Sequence, residues 1–163
     1  LSVQDAGDAY NTAVGFQAGV AMTTGNQNTL VGAQAGDALT EGDNNIAIGY
    51  QSLGSEILGD RSVAIGNFAL KNQNKTSDTD VYNVAIGYDA GNDITTGVKN
   101  TLIGGLAGDA LTEGDNNIII GALAAASAVG VDNTTVIGTT TTTSALVQRC
   151  YWLPRFSVSK RRC

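Results

Sequence analysis

The sequence predicts an all-β chain wound as a parallel β-solenoid, a β-roll of about eight 17-residue coils, and three observations lead there. A β-branched tetrad closed by glycine returns at near-constant spacing, the stretches between tetrads are turn chemistry, and the period is too short for a helical-hairpin repeat. The glycines are Gly15, Gly32, Gly49, Gly66, Gly87, Gly104, Gly121 and Gly138, separated by 17, 17, 17, 21, 17, 17 and 17 residues and each preceded by Val or Ile.

Taken in order, residues 1–7 are a lead-in, 8–140 the solenoid, and 141–163 a basic tail outside the repeat. The strands are read from NTAVG at 11–15, NTLVG at 28–32, NIAIG at 45–49, SVAIG at 62–66, NVAIG at 83–87, NTLIG at 100–104, NIIIG at 117–121 and TTVIG at 134–138. Three positions after each of the first seven glycines comes a small residue, at Ala18, Ala35, Ser52, Ala69, Ala90, Ala107 and Ala124, often followed by a second glycine. Each unit therefore predicts a strand, a sharp bend at the glycine, a second short strand through the Ala-Gly step and a loop back. The one long interval adds four residues near 71–80. AGDALTEGDNNI at 35–46 recurs unchanged at 107–118, so a block of four units is duplicated at an offset of 72 residues. Stacked about 4.8 Å apart, eight coils make a rod of roughly 38 Å.

Alternation along the tetrads separates two apolar sets. Thr12, Thr29, Ile46, Val63, Val84, Thr101, Ile118 and Thr135 share a face with Val14, Val31, Ile48, Ile65, Ile86, Ile103, Ile120 and Ile137, the face expected to line the coil interior with its isoleucines nearly fully buried. Ala13, Leu30, Ala47, Ala64, Ala85, Leu102, Ile119 and Val136 take the other side, where a flat repeating apolar strip is expected to be covered by further copies of the chain; the competing geometry turns these residues into the coil and the Thr/Ile/Val columns toward neighbours.

Composition narrows the chemistry. With 42% hydrophobic residues and a net charge of -6, the chain has enough apolar material to order. It contains no histidine, which removes the commonest general base and zinc ligand. Residues 1–138 carry all fifteen acidic residues against four basic ones, an excess of eleven negative charges, so nucleic acid is an improbable partner for the body. Arg149, Arg155, Lys160, Arg161 and Arg162 fall in the tail, as do Cys150 and Cys163, so no disulfide is expected within the body. That basic, aromatic tail reads either as a segment binding nucleic acid or an acidic surface, or as the product of a reading-frame slip, an arbitrary fragment end or a poorly ordered end. No run of eighteen apolar residues occurs and no membrane insertion is expected; the opening Leu-Ser-Val-Gln reads as a fragment or processed product.

The repeat N-S/T-x-[VI]-G-x-x-A, as in SVAIG at 62–66 and NVAIG at 83–87, resembles the head domains of trimeric autotransporter adhesins and related phage and viral tail-fibre repeats. The resemblance covers about residues 8 to 140 and implies left-handed β-rolls, three chains side by side about a long axis, and an extracellular, cell-surface or virion location. Two departures are the longer coils, adhesin-head repeats being nearer fourteen residues, and the lack of a neck, coiled-coil heptads or membrane anchor following the repeats.

Several positions bear on function. Asn11, Asn28, Asn45, Asn83, Asn100 and Asn117 open the tetrads and are expected to stack as an amide ladder capping the bend rather than to line a ligand groove. Asp43, Asp60, Asp115 and Asp132 recur ahead of them and suggest calcium, but the column is broken by Asn26 and Val98, and no metal ligand is assigned. Threonines share their columns with Ile and Val, which speaks against an ice-binding array. Phe16, Tyr50 and Tyr88 follow their glycines and alternate with Ala33, Asn67 and Gly105; they are candidate glycan contacts, or else pack beneath a neighbouring loop. Asn74, Lys75 and Thr76 lie in the inserted stretch, a candidate recognition loop that is also a glycosylation sequon, like Asn133-Thr134-Thr135. Neither a catalytic residue nor a cofactor is expected: a glycan hydrolase on this scaffold would need paired carboxylates in a groove, and the acids here fall in turns. The function expected is a structural and adhesive fibre segment of a virus, phage or bacterial surface, contacting a cell-surface glycan or receptor. The alternative is a purely architectural segment stacking end to end.

Overall fold

The computed structural model describes residues 9–124 and 130–139. The expected lead-in, the tail and both cysteines lie outside the described residues. Eight strands of three residues, β1 (Thr12–Val14), β2 (Thr29–Val31), β3 (Ile46–Ile48), β5 (Val63–Ile65), β7 (Val84–Ile86), β8 (Thr101–Ile103), β9 (Ile118–Ile120) and β10 (Thr135–Ile137), form one parallel sheet in chain order. The pairing is in register throughout, Thr12 opposite Thr29 and Ala64 opposite Ala85, so each unit climbs one strand spacing and the chain makes about seven turns of a parallel β-solenoid. β4 (Gly59–Asp60) and β6 (Thr79–Asp80) pair as a second, two-stranded sheet beside the insertion. The described residues include no helix, and so none able to cross a membrane.

The interior is the reverse of the face expected from the sequence. Leu30, Ala47, Ala64, Ala85, Leu102 and Ile119 are fully buried, whereas Ile48 and Ile86 are each 37% exposed and Val14 and Ile137 more so. Both faces of the tetrad are apolar, so alternation alone does not say which turns inward. Side-chain volume does. The corner position six residues further on is small where the strand residue is large: Leu30 meets Gly36 and Leu102 meets Gly108, and a Cβ on either glycine would come within 2.9 Å of the leucine methyls. Where the strand carries Ala47 or Ala64, the corner carries the buried Leu53 or Leu70. Ala13 and Ala85 are instead followed at the corner by Gly19 and Gly91, and there the space is shared along the rod: a Cβ on Gly91 would lie 2.5 Å from Leu102 and 3.1 Å from Leu70 of the adjoining coils, so the interior volume is filled within a coil or by its neighbours, as an outward face need not be.

The expected second strand through the Ala-Gly step is instead a run of turns. The second residue after each of the first seven tetrad glycines adopts the left-handed conformation, as Gln17, Gln34, Gln51, Phe68, Asp89, Leu106 and Leu123 do at φ between +52° and +62°. A left-handed residue there breaks the extended path and turns the chain around the small core. The core is completed by a second column, Met22, Leu39, Ile94 and Leu111, interrupted by Glu56 and Gln73 in the two coils bordering the insertion.

Candidate functional site

Two ladders fix the corner opposite the core. The asparagines reach both ways along the rod: Asn45 donates its backbone N–H to Asn28 Oδ1 at 2.8 Å and its amide Nδ2 to the Gly59 carbonyl at 2.9 Å, and Asn28, Asn100 and Asn117 do the same with their neighbours, while Asn83, which follows Ser62, donates Nδ2 to the Gly97 carbonyl at 2.7 Å and accepts the Asn100 N–H at 2.8 Å. These amides are buried and spent on the scaffold, as the expected ladder requires. The aspartates are spent similarly. Asp43, Asp60, Asp115 and Asp132 each accept, through Oδ1, a backbone N–H from the preceding coil at 2.6 to 2.8 Å. Burial pushes the Asp60 carboxyl above its usual range, and the charges of Asp78 and Asp43 add to the shift against the Asp43 N–H bond that opposes it. Among the described residues no three His, Cys, Asp or Glu side chains gather as a metal site.

The insertion is anchored by a buried network. Ser62 stands where six of the other seven coils have asparagine, Thr134 being the last, and its hydroxyl is too short to span to the next turn. Gln73 fills the gap, donating to Ser62 Oγ at 3.0 Å and Glu56 Oε2 at 2.7 Å while accepting from Asn83 Nδ2 at 2.8 Å. Glu56 Oε1 accepts from the backbone N–H groups of Ile57, Gly59 and Lys75 at 3.1, 2.9 and 2.9 Å. Thus Glu56, the one buried acid among the described residues, holds the start of the inserted loop to the coil below it.

Of the candidate recognition residues, Asn74 and Lys75 are half-buried and tied down. Asn74 donates its backbone N–H to Thr95 O at 3.0 Å, and Lys75 Nζ donates to the Thr96 carbonyl. Asn74 Oδ1 is buried without a hydrogen-bond partner, and Thr76 projects into solvent.

The aromatic candidates share one column and stand on alternate coils: Phe16, Tyr50 and Tyr88, exposed by 71%, 41% and 56%. They do not lie under a loop. Sequence reasoning missed Phe68, one position out of column, whose ring meets Tyr50 edge-on at 5.3 Å and Tyr88 at 6.0 Å. The signal for it was available: Phe68 ends the run Gln17, Gln34, Gln51 with an aromatic, ahead of Asp89, Leu106 and Leu123, in the coil whose residue in the aromatic column, Asn67, is small. Backbone bonds hold the group rigidly, with Phe68 N–H donating to Tyr50 O at 2.9 Å and Tyr50 N–H to Asn67 Oδ1 at 2.9 Å. Lys71 Nζ lies 5.2 Å from the Phe68 ring centre. Beside the rings runs a polar edge: Asn72 Nδ2 donates to Asn92 Oδ1 at 3.0 Å, and Asn92 Nδ2 to Asp89 Oδ1 at 2.6 Å. A hydrogen bond to the Asp89 carboxylate, together with its charge, raises the Tyr88 phenol above its ordinary range.

No family model, curated protein or solved structure matches this chain.

Proposed function

We propose that the chain is a structural and adhesive segment of an extended fibre on a virion or cell surface, built from three copies packed side by side and presenting a contact surface for a cell-surface glycan. The observation that supports it is the outward face of the long sheet. There two parallel columns, from Ile46 to Ile118 and from Val14 to Ile137, set an unbroken band of Val, Ile and Thr on a flat, in-register surface. Water-exposed apolar area is worth about 25 cal/mol per Å2 to cover, and a strip that repeats with the coil is matched best by the same strip on another copy. The contact therefore uses the Ile/Val columns, not the alanine column expected from the sequence, which lies inside the coil.

Light scattering and sedimentation of the full chain test the assembly. Three-fold mass is expected, with Ile48→Glu combined with Ile86→Glu yielding a folded monomer because neither side chain belongs to the core. A wild-type monomer at micromolar concentration overturns the fibre reading, and open-ended growth with no glycan binding replaces the adhesive reading with the architectural one.

A further inference from the structure

Phe16, Tyr50 and Tyr88 are two coils apart, with Ala33 and Asn67 between them, so the rings repeat along the rod at roughly 9.6 Å, twice the ~4.8 Å strand spacing. We propose that this track, centred on Tyr50, Phe68 and Tyr88, binds an extended, neutral β-1,4-linked polysaccharide lying parallel to the rod axis. The inference rests on the adhesive reading and names its ligand class.

The chemistry follows from the repeat. In a β-1,4-linked hexopyranose chain successive rings flip by half a turn, so every second sugar offers the same face to one side, with axial C–H groups exposed on it. The disaccharide repeat of such a chain is close to two coil spacings. An aromatic on every second coil therefore meets an equivalent sugar each time, and an aromatic on every coil would not improve the match. The intervening coils carry the small Ala33 and Asn67 in this column, and in the second of them Phe68, one position out of column, stands edge-on to both tyrosines, so that between the two stacking rings the flipped sugar meets no third ring in the same column. The edge-on Phe68 sets the pitch of the two tyrosines by packing against both rings. Equatorial hydroxyls along the edge of the chain need planar donors and acceptors at fixed positions. Asn72, Asn92 and Asp89 provide these, already oriented by their mutual hydrogen bonds. One acid, Asp89 against Tyr88 and Asn92, and one base, Lys71 over the Phe68 ring, leave the ledge without a net cationic character that would select an acidic glycan.

The test is titration calorimetry of the full chain with β-1,4-linked N-acetylglucosamine and glucose oligomers of two, four and six units, using α-1,4-linked hexamers as controls. Affinity is expected to rise in steps from dimer to hexamer, with the α-linked hexamer silent. Tyr50→Ala and Tyr88→Ala are each expected to weaken hexamer binding by about tenfold or more, the loss typical of a buried aromatic anchor, at unchanged melting temperature and unchanged mass by light scattering. A wild-type protein that assembles as a trimer but binds no β-linked hexamer, or binds both linkages alike, overturns the track while leaving the fibre reading standing. Loss of the trimer in Tyr50→Ala overturns it as well, placing the rings in the subunit contact. A monomer that binds hexamer through these rings overturns the assembly and keeps the track.

Discussion

Gly104 shows why a single residue type recurs at the end of every tetrad. It sits at φ +132°, and a Cβ built on it would lie 2.5 Å from the carbonyl carbon and oxygen of Gly121 in the next coil. Both the dihedral and the contact exclude a side chain, because the backbones of successive coils touch there. Gly104→Val is expected to cost more than about 2 kcal/mol by this mechanism, measured as a fall in urea unfolding free energy. Asp60 illustrates a charge effect at the same scale. Its folded-state carboxyl is raised above the ordinary 3.8. The folded chain thus holds this proton more tightly than the unfolded chain does, and its contribution is most favourable below 3.8 and is lost as pH rises through the folded value. Asp60→Asn keeps an Oδ1 acceptor for the Asp43 N–H and removes the charge facing Asp78 and Asp43. The variant should therefore melt above wild type near neutral pH, and the difference should close once the solution is more acidic than the ordinary carboxyl value. An unchanged gap across that range would assign the effect to packing.

At the scale of one coil, stability depends on complementary volumes rather than on any single large residue. Leu53 and Ala47 of one coil are both fully buried, large at the corner and small on the strand, the inverse of the Leu30 and Gly36 pair one coil below. Leu53→Gly alone empties a leucine-sized space and is expected to cost about 2–5 kcal/mol, and Ala47→Leu alone overfills the coil at a cost of about 1–3 kcal/mol. The double variant recreates the neighbouring arrangement and should recover most of both losses, a favourable coupling of at least about 1 kcal/mol in a double-mutant cycle. Additive losses would show that the two positions do not share a cavity.

For the whole molecule, association sets two long-range terms against each other. The body of residues 1–138 carries fifteen acidic and four basic residues, so parallel copies repel, while the Ile/Val face draws them together. Repulsion between exposed charges is screened over about 30 Å at 0.01 M salt and about 8 Å at 0.15 M. The assembled fraction should accordingly increase with ionic strength in sedimentation equilibrium. Assembly that weakens with salt would point to ion pairs, not apolar burial, as its basis.

The solenoid period, the parallel register, the glycine bend and the asparagine ladder were all legible in the sequence, because each depends on one residue type meeting its own copy 17 positions later. Such stacking is a local rule repeated, and a repeat displays it directly. The direction of the coil was not legible from alternation, since Ile48 and Ala47 are both apolar and a two-residue period is symmetric between faces. The volume trade between Leu30 with Gly36 and Ala47 with Leu53 carried that information, but only once positions six apart are known to face one another across the core. The buried Glu56, Gln73 and Ser62 network and the Tyr50, Phe68 and Tyr88 cluster belong to the tertiary structure alone. Their members come from different coils and different columns, and what joins them is the close stacking of coils around an insertion that no repeat encodes.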